Sequence, residues 1–477
     1  MTCACESVHP FPCQFPAETE FFGFDSRKWC RFHLPLQDAA GNKSDKGRGK
    51  NGWEEGGPEL EKFTDEIHAR LRAAASWDDV RINDTRANFN CVSFPSNFLF
   101  LPVANVFCAV FNKATFGNGV GFTGTTLGNN TEFVGATFVG LSYFTGTTFG
   151  NFCRINGATF GGLARFREAR FGNWTTFADV KFGDGVIFTN ASFSNDAHFD
   201  RATFDGPAHF DAAIFGNSVS FAKAKFQGSA DFSAGTKMEA NFDFKHIDFG
   251  DATFTGQCTF ENRKFETSAN FNGAVFHDLV EFHGCTFHPG MSFHLTKFRK
   301  TKENKLSTKK DNDDATERLE RSYRTLKVEM EKLRARNEEA DFFALEMECR
   351  RQRGSVPRLE RFAATAYKHL SDYGRSIARP LVWMVFTLGY GFAYFYHLAQ
   401  AKSFRAPGDI LRFVMEQVVT PFSIWTSQYK FDPWMMKYQD EHPMLMLLRV
   451  PATLITLMAI TLIALFLLAL RRRFKMD

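Results

Sequence analysis

ASFSNDAHFDRATFDGPAHFDAAIFGNSVSFAKAKF, residues 191–226, places a phenylalanine at every fifth or sixth position: Phe193, Phe199, Phe204, Phe210, Phe215, Phe221 and Phe226. The steps alternate, so the true period is eleven residues. Two positions before a ring stands a small residue, as at Ala191, Ala202, Ala213 and Ala224, and the positions between are polar, charged or glycine.

The same grid extends outward from Phe89 to Phe298, with Leu127 and Ile155 standing in for Phe. Replacement by other large apolar side chains points to burial. The phase fails between Phe232 and Phe249, where Met238, Phe242 and Phe244 lie off the grid, and resumes at Phe254. A bulge or loop is expected there, the other reading being a partner site on a regular rod. The grid explains the composition: 58 Phe against 9 Tyr and 7 Trp, with 36 Gly in 477 residues.

An amphipathic helix does not fit this pattern, because an eleven-residue helical repeat needs three apolar positions per unit. Gly117, Gly119, Gly121 and Gly124 would each cost a helix about 1 kcal/mol. Short strands joined by turns fit. At this point the chain resembles the pentapeptide-repeat family, in particular its Phe-centred branch, over Phe89 to Phe298. The resemblance implies a mainly β fold, a right-handed quadrilateral β-helix with the central and minus-two side chains inward. One coil would then take two eleven-residue units, each Phe stacking on the ring 22 residues away, and the rod would have roughly nine or ten coils at ~4.8 Å each.

On such a coil His277, His283, His288 and His294 each follow a Phe and so point outward on successive sides, while His198 and His209 fall on opposite sides. A metal shared by these histidines is not expected. The formal charge is +4 from 57 basic and 53 acidic residues. Acids such as Asp200 and Asp211 alternate with Arg165, Arg170, Lys223 and Lys225, unlike the acidic faces of DNA-mimicking relatives, so no nucleic-acid partner is expected. No nucleophile with a base, paired carboxylates or phosphate-binding glycine loop is recognisable, and no catalytic residue is assigned.

The N-terminal segment, 1–40, compresses Cys3, Cys5, Cys13, Cys30 and His33 into a short stretch. Cys5, Cys13, Cys30 and His33 are the set expected to hold zinc if one is held, the alternative being free cysteines in a tail. Met1 to Phe22 has neither a basic start nor a long apolar core, which places this part in a reducing cytoplasm. Residues 41–58 read as a flexible linker. Residues 59–88 lead into the repeats, with Leu60, Phe63, Ile67 and Leu71 at helical spacing on a helix expected to cap the open coil.

Past the repeat (89–298), residues 299–316 read as a charged linker and 317–378 as a helical neck. Leu319, Tyr323, Leu326, Met330 and Leu333 form a seam there, and a helix pair within one chain is favoured over pairing between subunits. Residues 379–477 contain two apolar runs, about 380–399 and 450–470, both read as transmembrane helices. Arg375 and Arg379 precede the first, and Arg471, Arg472, Arg473 and Lys475 follow the second, so both chain ends are expected in the cytoplasm. Between them Ile410 to Thr420, before Pro421, is amphipathic.

Tyr323-Arg324-Thr325-Leu326-Lys327, Asp372-Tyr373-Gly374-Arg375-Ser376 and Leu470 to Lys475 resemble segments of bacterial pentapeptide-repeat membrane proteins, some of which carry a two-helix, channel-like pore. No Thr-Val-Gly-Tyr-Gly type filter is present here. The expectation is a noncatalytic scaffold or sensor at the bacterial inner membrane, with lipid bilayer and a cytoplasmic protein as partners. The alternative is a homo-oligomeric two-transmembrane, ion-channel-like protein assembled or gated by neck and β-helix.

Overall fold

The computed structural model describes residues 31–36, 58–75, 87–100, 109–234, 244–298, 309–400 and 446–474, with shorter pieces between 21 and 57 and at Leu411 and Val414. The chain divides into two compact units, Met1–Lys300 and Thr301–Asp477.

In the first unit the grid becomes a solenoid. Most strands have two residues and end on or beside a grid position, as in Thr203–Phe204 and Lys225–Phe226. Strands 22 residues apart pair in parallel, Thr203 with Lys225 and Phe204 with Phe226. Turns return the chain because the residue two past every second ring is left-handed: Asn190, Arg201 and Lys223 have φ of 57°, 58° and 60°. Gly146 fills the same place with φ 64°, which a glycine adopts without steric cost. Gly216 serves differently, since a Cβ there would collide with the Ser194 carbonyl oxygen one coil away.

The result is four parallel ladders, the longest of nine and eight strands. Nine strands mark about eight turns, fewer than the nine or ten expected, because chain used by the interruption and the two ends adds no turn.

Along the axis the rings lie flat on one another: Phe204 on Phe226 at 4.5 Å and 1°, Phe177 on Phe199 at 4.8 Å and 5°. Around a coil they meet edge to face, as Phe188 meets Phe199 at 5.7 Å and 80°. The edge-to-face contact is a favoured quadrupole geometry, and burying each ring contributes roughly 1.5–3 kcal/mol. The minus-two slots hold Ala191, Ala202 and Ala213, fully buried. Cys153, Cys258 and Cys285 occupy equivalent slots as free thiols. Burial pushes the Cys285 thiol up to about 12, so it serves as a small apolar side chain.

Phe244, expected off the grid, is inside it. It stacks under Phe215 at 5.7 Å and meets Phe265 at 5.2 Å. Across the interruption the ladder offset grows from 22 to 28 residues, as in Phe226 with Phe254 and Ser218 with His246, and a one-residue register shift between Phe244 and His246 makes the residue 29 after Phe215 take the place normally 22 on. Met238 and Phe242 lie outside the described residues. Where the shift occurs, Arg263 takes a minus-two slot and is only 1% exposed. It donates to the carbonyls of Phe232, Ala213 (3.0 Å) and Phe210 (3.3 Å), and its guanidinium lies 4.8 Å from the Phe244 ring centroid. The cation thus joins coils on both sides of the irregular one.

The first coil is closed by α1, Pro58–Ala75. Phe63, Ile67 and Leu71 are fully buried, and Phe63 packs edge-on against Phe94 and Phe98 at 5.8 and 5.5 Å. An amphipathic helix can cover the open end because its apolar stripe replaces the missing coil.

The second unit begins with a helical hairpin, α2 (Lys309–Lys332) and α3 (Arg336–Gln352). Helix α2 therefore starts inside the stretch read as a linker, where acidic and basic side chains are compatible with helix. Leu319, Tyr323, Leu326 and Met330 are buried, with Tyr323 stacked on Phe342 at 6.5 Å. The seam thus pairs within one chain. Helix α4 spans Arg358–Ser371, α5 Ala378–Gln400 and α6 Met446–Phe474.

Two membrane-crossing helices were expected; among the described residues one, Thr453–Arg471 within α6, is long and apolar enough. Residues 380–399 are helical in α5, but Trp383, Tyr390, Tyr394, Tyr396 and His397 dilute the apolar character. Helices α5 and α6 still approach closely at Gly391, where a Cβ would lie 3.0 Å from Ile455 Cδ1. Apart from Leu411 and Val414, the Ile410–Pro421 stretch lies outside the described residues.

Two outcomes test this packing. Phe199→Asp puts an unpaired carboxylate in the stack at a cost of several kcal/mol, so the β signal in circular dichroism should be lost; an unchanged spectrum contradicts the stack. In the second unit Glu348 accepts from Lys368 (2.9 Å), Tyr373 (3.0 Å) and Arg351. Burial opposes its charge, but these hydrogen bonds prevail and hold it at about 2, below its ordinary 4.5. The stabilisation is complete above pH about 4.5 and is lost as pH falls toward about 2. Chemical denaturation followed by helical ellipticity should show that loss, and Glu348→Gln should flatten it.

Candidate functional site

Outward positions of neighbouring coils form columns, because residues 22 apart stand one above the other. One corner is an asparagine column: Asn151 N–H donates to Asn129 Oδ1 at 2.7 Å and Asn173 N–H to Asn151 Oδ1 at 2.8 Å. The side chains replace turn hydrogen bonds.

Beside that column stand Phe152 and Trp174, half exposed at 50% and 53%. Both are left-handed, with φ of 59°, and Asn130 and Asp196 share the column at 58° and 53°. A left-handed bulky residue carries a steric cost of about 1–2 kcal/mol. Two large aromatics kept outward at such positions, one coil apart, form an apolar patch on the rod. Their signal in the sequence is their 22-residue offset, and single-residue scanning passes over it.

Among the described residues one group could hold a metal ion: His209, Asp211 and Asp231, with ligand atoms within 4.8 Å of one another. Asp231 stands beside His209 through the parallel register. Thr189 Oγ1 donates to Asp211 at 2.8 Å and the Ser233 amide to Asp231 at 2.9 Å, orienting both carboxylates. An imidazole with two carboxylates suits a first-row divalent ion with water in its remaining positions. The histidines do diverge, with His277, His283, His288 and His294 all exposed. His198 bonds Asp200, which raises its pKa. Pairing histidine with histidine missed the triad, since its third member lies one coil away.

Of the residues expected to hold zinc, Cys5, Cys13 and Cys30 lie outside the described residues. His33 lies in a turn at 31–33 and is buried. Around it, Arg31 pairs with Glu59 at 2.9 Å, Phe32 packs on Phe63 at 5.4 Å, and the Phe32 carbonyl accepts from the Ser93 amide. Lys46 donates to the Arg31 carbonyl at 2.8 Å and lies over the Phe63 ring. This part of the segment fastens α1 to the first coil.

The family model of pentapeptide repeats (9 copies) matches residues 144–192 and 188–236. Searches of curated proteins and of solved structures returned no match. The matched residues lie within the continuous ladders of stacked rings, so the repeat region of this chain is a pentapeptide-repeat β-solenoid.

Proposed function

We propose that the protein is a noncatalytic scaffold or sensor, held at the bacterial inner membrane by α6 with α5 packed against it, whose solenoid presents its surface to a cytoplasmic protein. One observation carries the membrane part. Helices α5 and α6 pack together yet turn large apolar side chains outward, with Val385, Phe386 and Tyr390 at 65–71% exposure and Leu454 and Leu457 at 59–60%. In water such a belt is unfavourable; in lipid it is solvated. Arg471, Arg472 and Arg473 close α6 and would sit among cytoplasmic headgroups.

The outward Phe152 and Trp174 support the partner, because they accept backbone cost without entering the core. A channel made from the same hairpin needs several copies, since two helices enclose no aqueous path.

The full-length protein should resist alkaline carbonate extraction from membranes, and deletion of residues 446–477 should release it; release of the intact chain would remove the membrane reading. In detergent, mass measurement should give a single chain, and a stable ring would turn the reading toward the channel. Phe152→Asn with Trp174→Asn should leave the thermal midpoint equal or higher, because asparagine tolerates the left-handed conformation. A fall of several degrees would make the pair structural.

A further inference from the structure

The junction between α3 and α4 carries a wide-open pocket of about 350 Å³ lined by Arg351, Arg358, Arg361, Phe362 and Thr365. Three arginines line this pocket, and the carboxylates near it are largely committed to other cations. Glu348 is held by Arg351, Lys368 and Tyr373. Glu360 pairs with Arg350 at 3.0 Å. Among the described residues no carboxylate reaches Arg358 or Arg361 within ion-pair distance. The Nε–H of Arg361 is buried with no hydrogen-bond partner there, and a buried charged donor left without its hydrogen bond is destabilising.

The backbone adds to the imbalance. Arg358 is the first residue of α4, and Pro357 before it gives no side-chain cap. The first-turn amides and the positive end of the helix dipole therefore stand beside the arginines. This is the reverse of the usual helix preference and a good environment for an oxyanion.

A third feature selects among oxyanions. Leu359 and Phe362, next to these arginines on α4, are 78% and 72% exposed, and Ala363 continues their stripe outward. An amphipathic helix with an outward apolar stripe flanked by arginine lies in a bilayer interface, and α4 is followed directly by α5.

We propose that this cavity binds the headgroup phosphate of an anionic phospholipid, with Arg358 and Arg361 as the phosphate ligands, Arg351 supporting them, and Leu359 and Phe362 against the acyl chains. Guanidiniums match phosphate oxygens with paired N–H groups, and the excess positive charge disfavours a headgroup that carries its own ammonium. The proposal rests on the membrane reading above but is tested separately from it.

The test titrates the full-length protein in neutral detergent with short-chain phosphatidylglycerol, with phosphatidylcholine of equal chain length and with inorganic phosphate, counting bound molecules by native mass spectrometry. Phosphatidylglycerol should saturate one site about tenfold more tightly than phosphatidylcholine, and Arg361→Gln should remove about that preference. Should Arg361→Gln disturb the helical spectrum, the exposed Arg358→Gln carries the same expectation. Equal affinity for the two lipids, or variants that keep the preference, overturns the site. Inorganic phosphate binding as tightly as phosphatidylglycerol overturns the lipid assignment. Carbonate extraction reads the membrane tether independently, so a chain released there can still show or lack the lipid preference.

Discussion

Axial stacking of phenylalanine on phenylalanine is the interaction on which the first unit depends. Two-residue strands bury almost nothing by themselves, and four ladders of them would not hold without a filled interior. The stack fixes the 22-residue offset, because a ring displaced by one residue would face solvent. It also explains the small residues at minus two: Ala, Thr and Cys fill many of these slots, and branched aliphatics such as Val180, Val186 and Ile247 are buried in others. Arg263 marks the limit of that rule, since a cation enters a minus-two slot where the register shifts and carbonyls from three places accept its protons.

A rigid period in the core produces a second period on the surface. Residues that share no local motif become neighbours when they differ by 22, as Phe152 and Trp174 do, or as His209 does with Asp231. The rod thus builds columns of like or complementary side chains from a chain whose outward positions look unordered. Regular coils offer little concave surface, so recognition by such a rod falls to these columns and to departures from regularity.

The second unit obeys different physics. Its helices are held by a buried seam and by shared carboxylates, with Glu346 and Glu348 each accepting from more than one cation. Charge left over where α3 meets α4 and apolar side chains left outward on α4, α5 and α6 are both unfavourable in water. Both would become favourable at the boundary of an anionic bilayer, which is the setting proposed for this unit.

Periodicity alone determined that the chain is a coil of short strands with Phe inside, that Leu127 and Ile155 are buried, and that the four exposed histidines diverge. These follow from local spacing, and a repeat makes local spacing global. The helix over Phe63, Ile67 and Leu71 was legible for the same reason. Tertiary structure alone decided the rest. Phe244 proved to be inside because inserted chain and a one-residue register shift together reposition it, and a strict count by 22 contains neither. The patch and the His–Asp–Asp group needed two coils side by side. The arginine cavity needed the helix positions, because whether a charge is neutralised depends on which carboxylates have already been taken. The first apolar run shows the complementary limit: residues 380–399 are helical as read, but Trp383, Tyr390, Tyr394 and Tyr396 make this helix less apolar than α6, and an aromatic ring with a polar edge is stable in lipid or beside it.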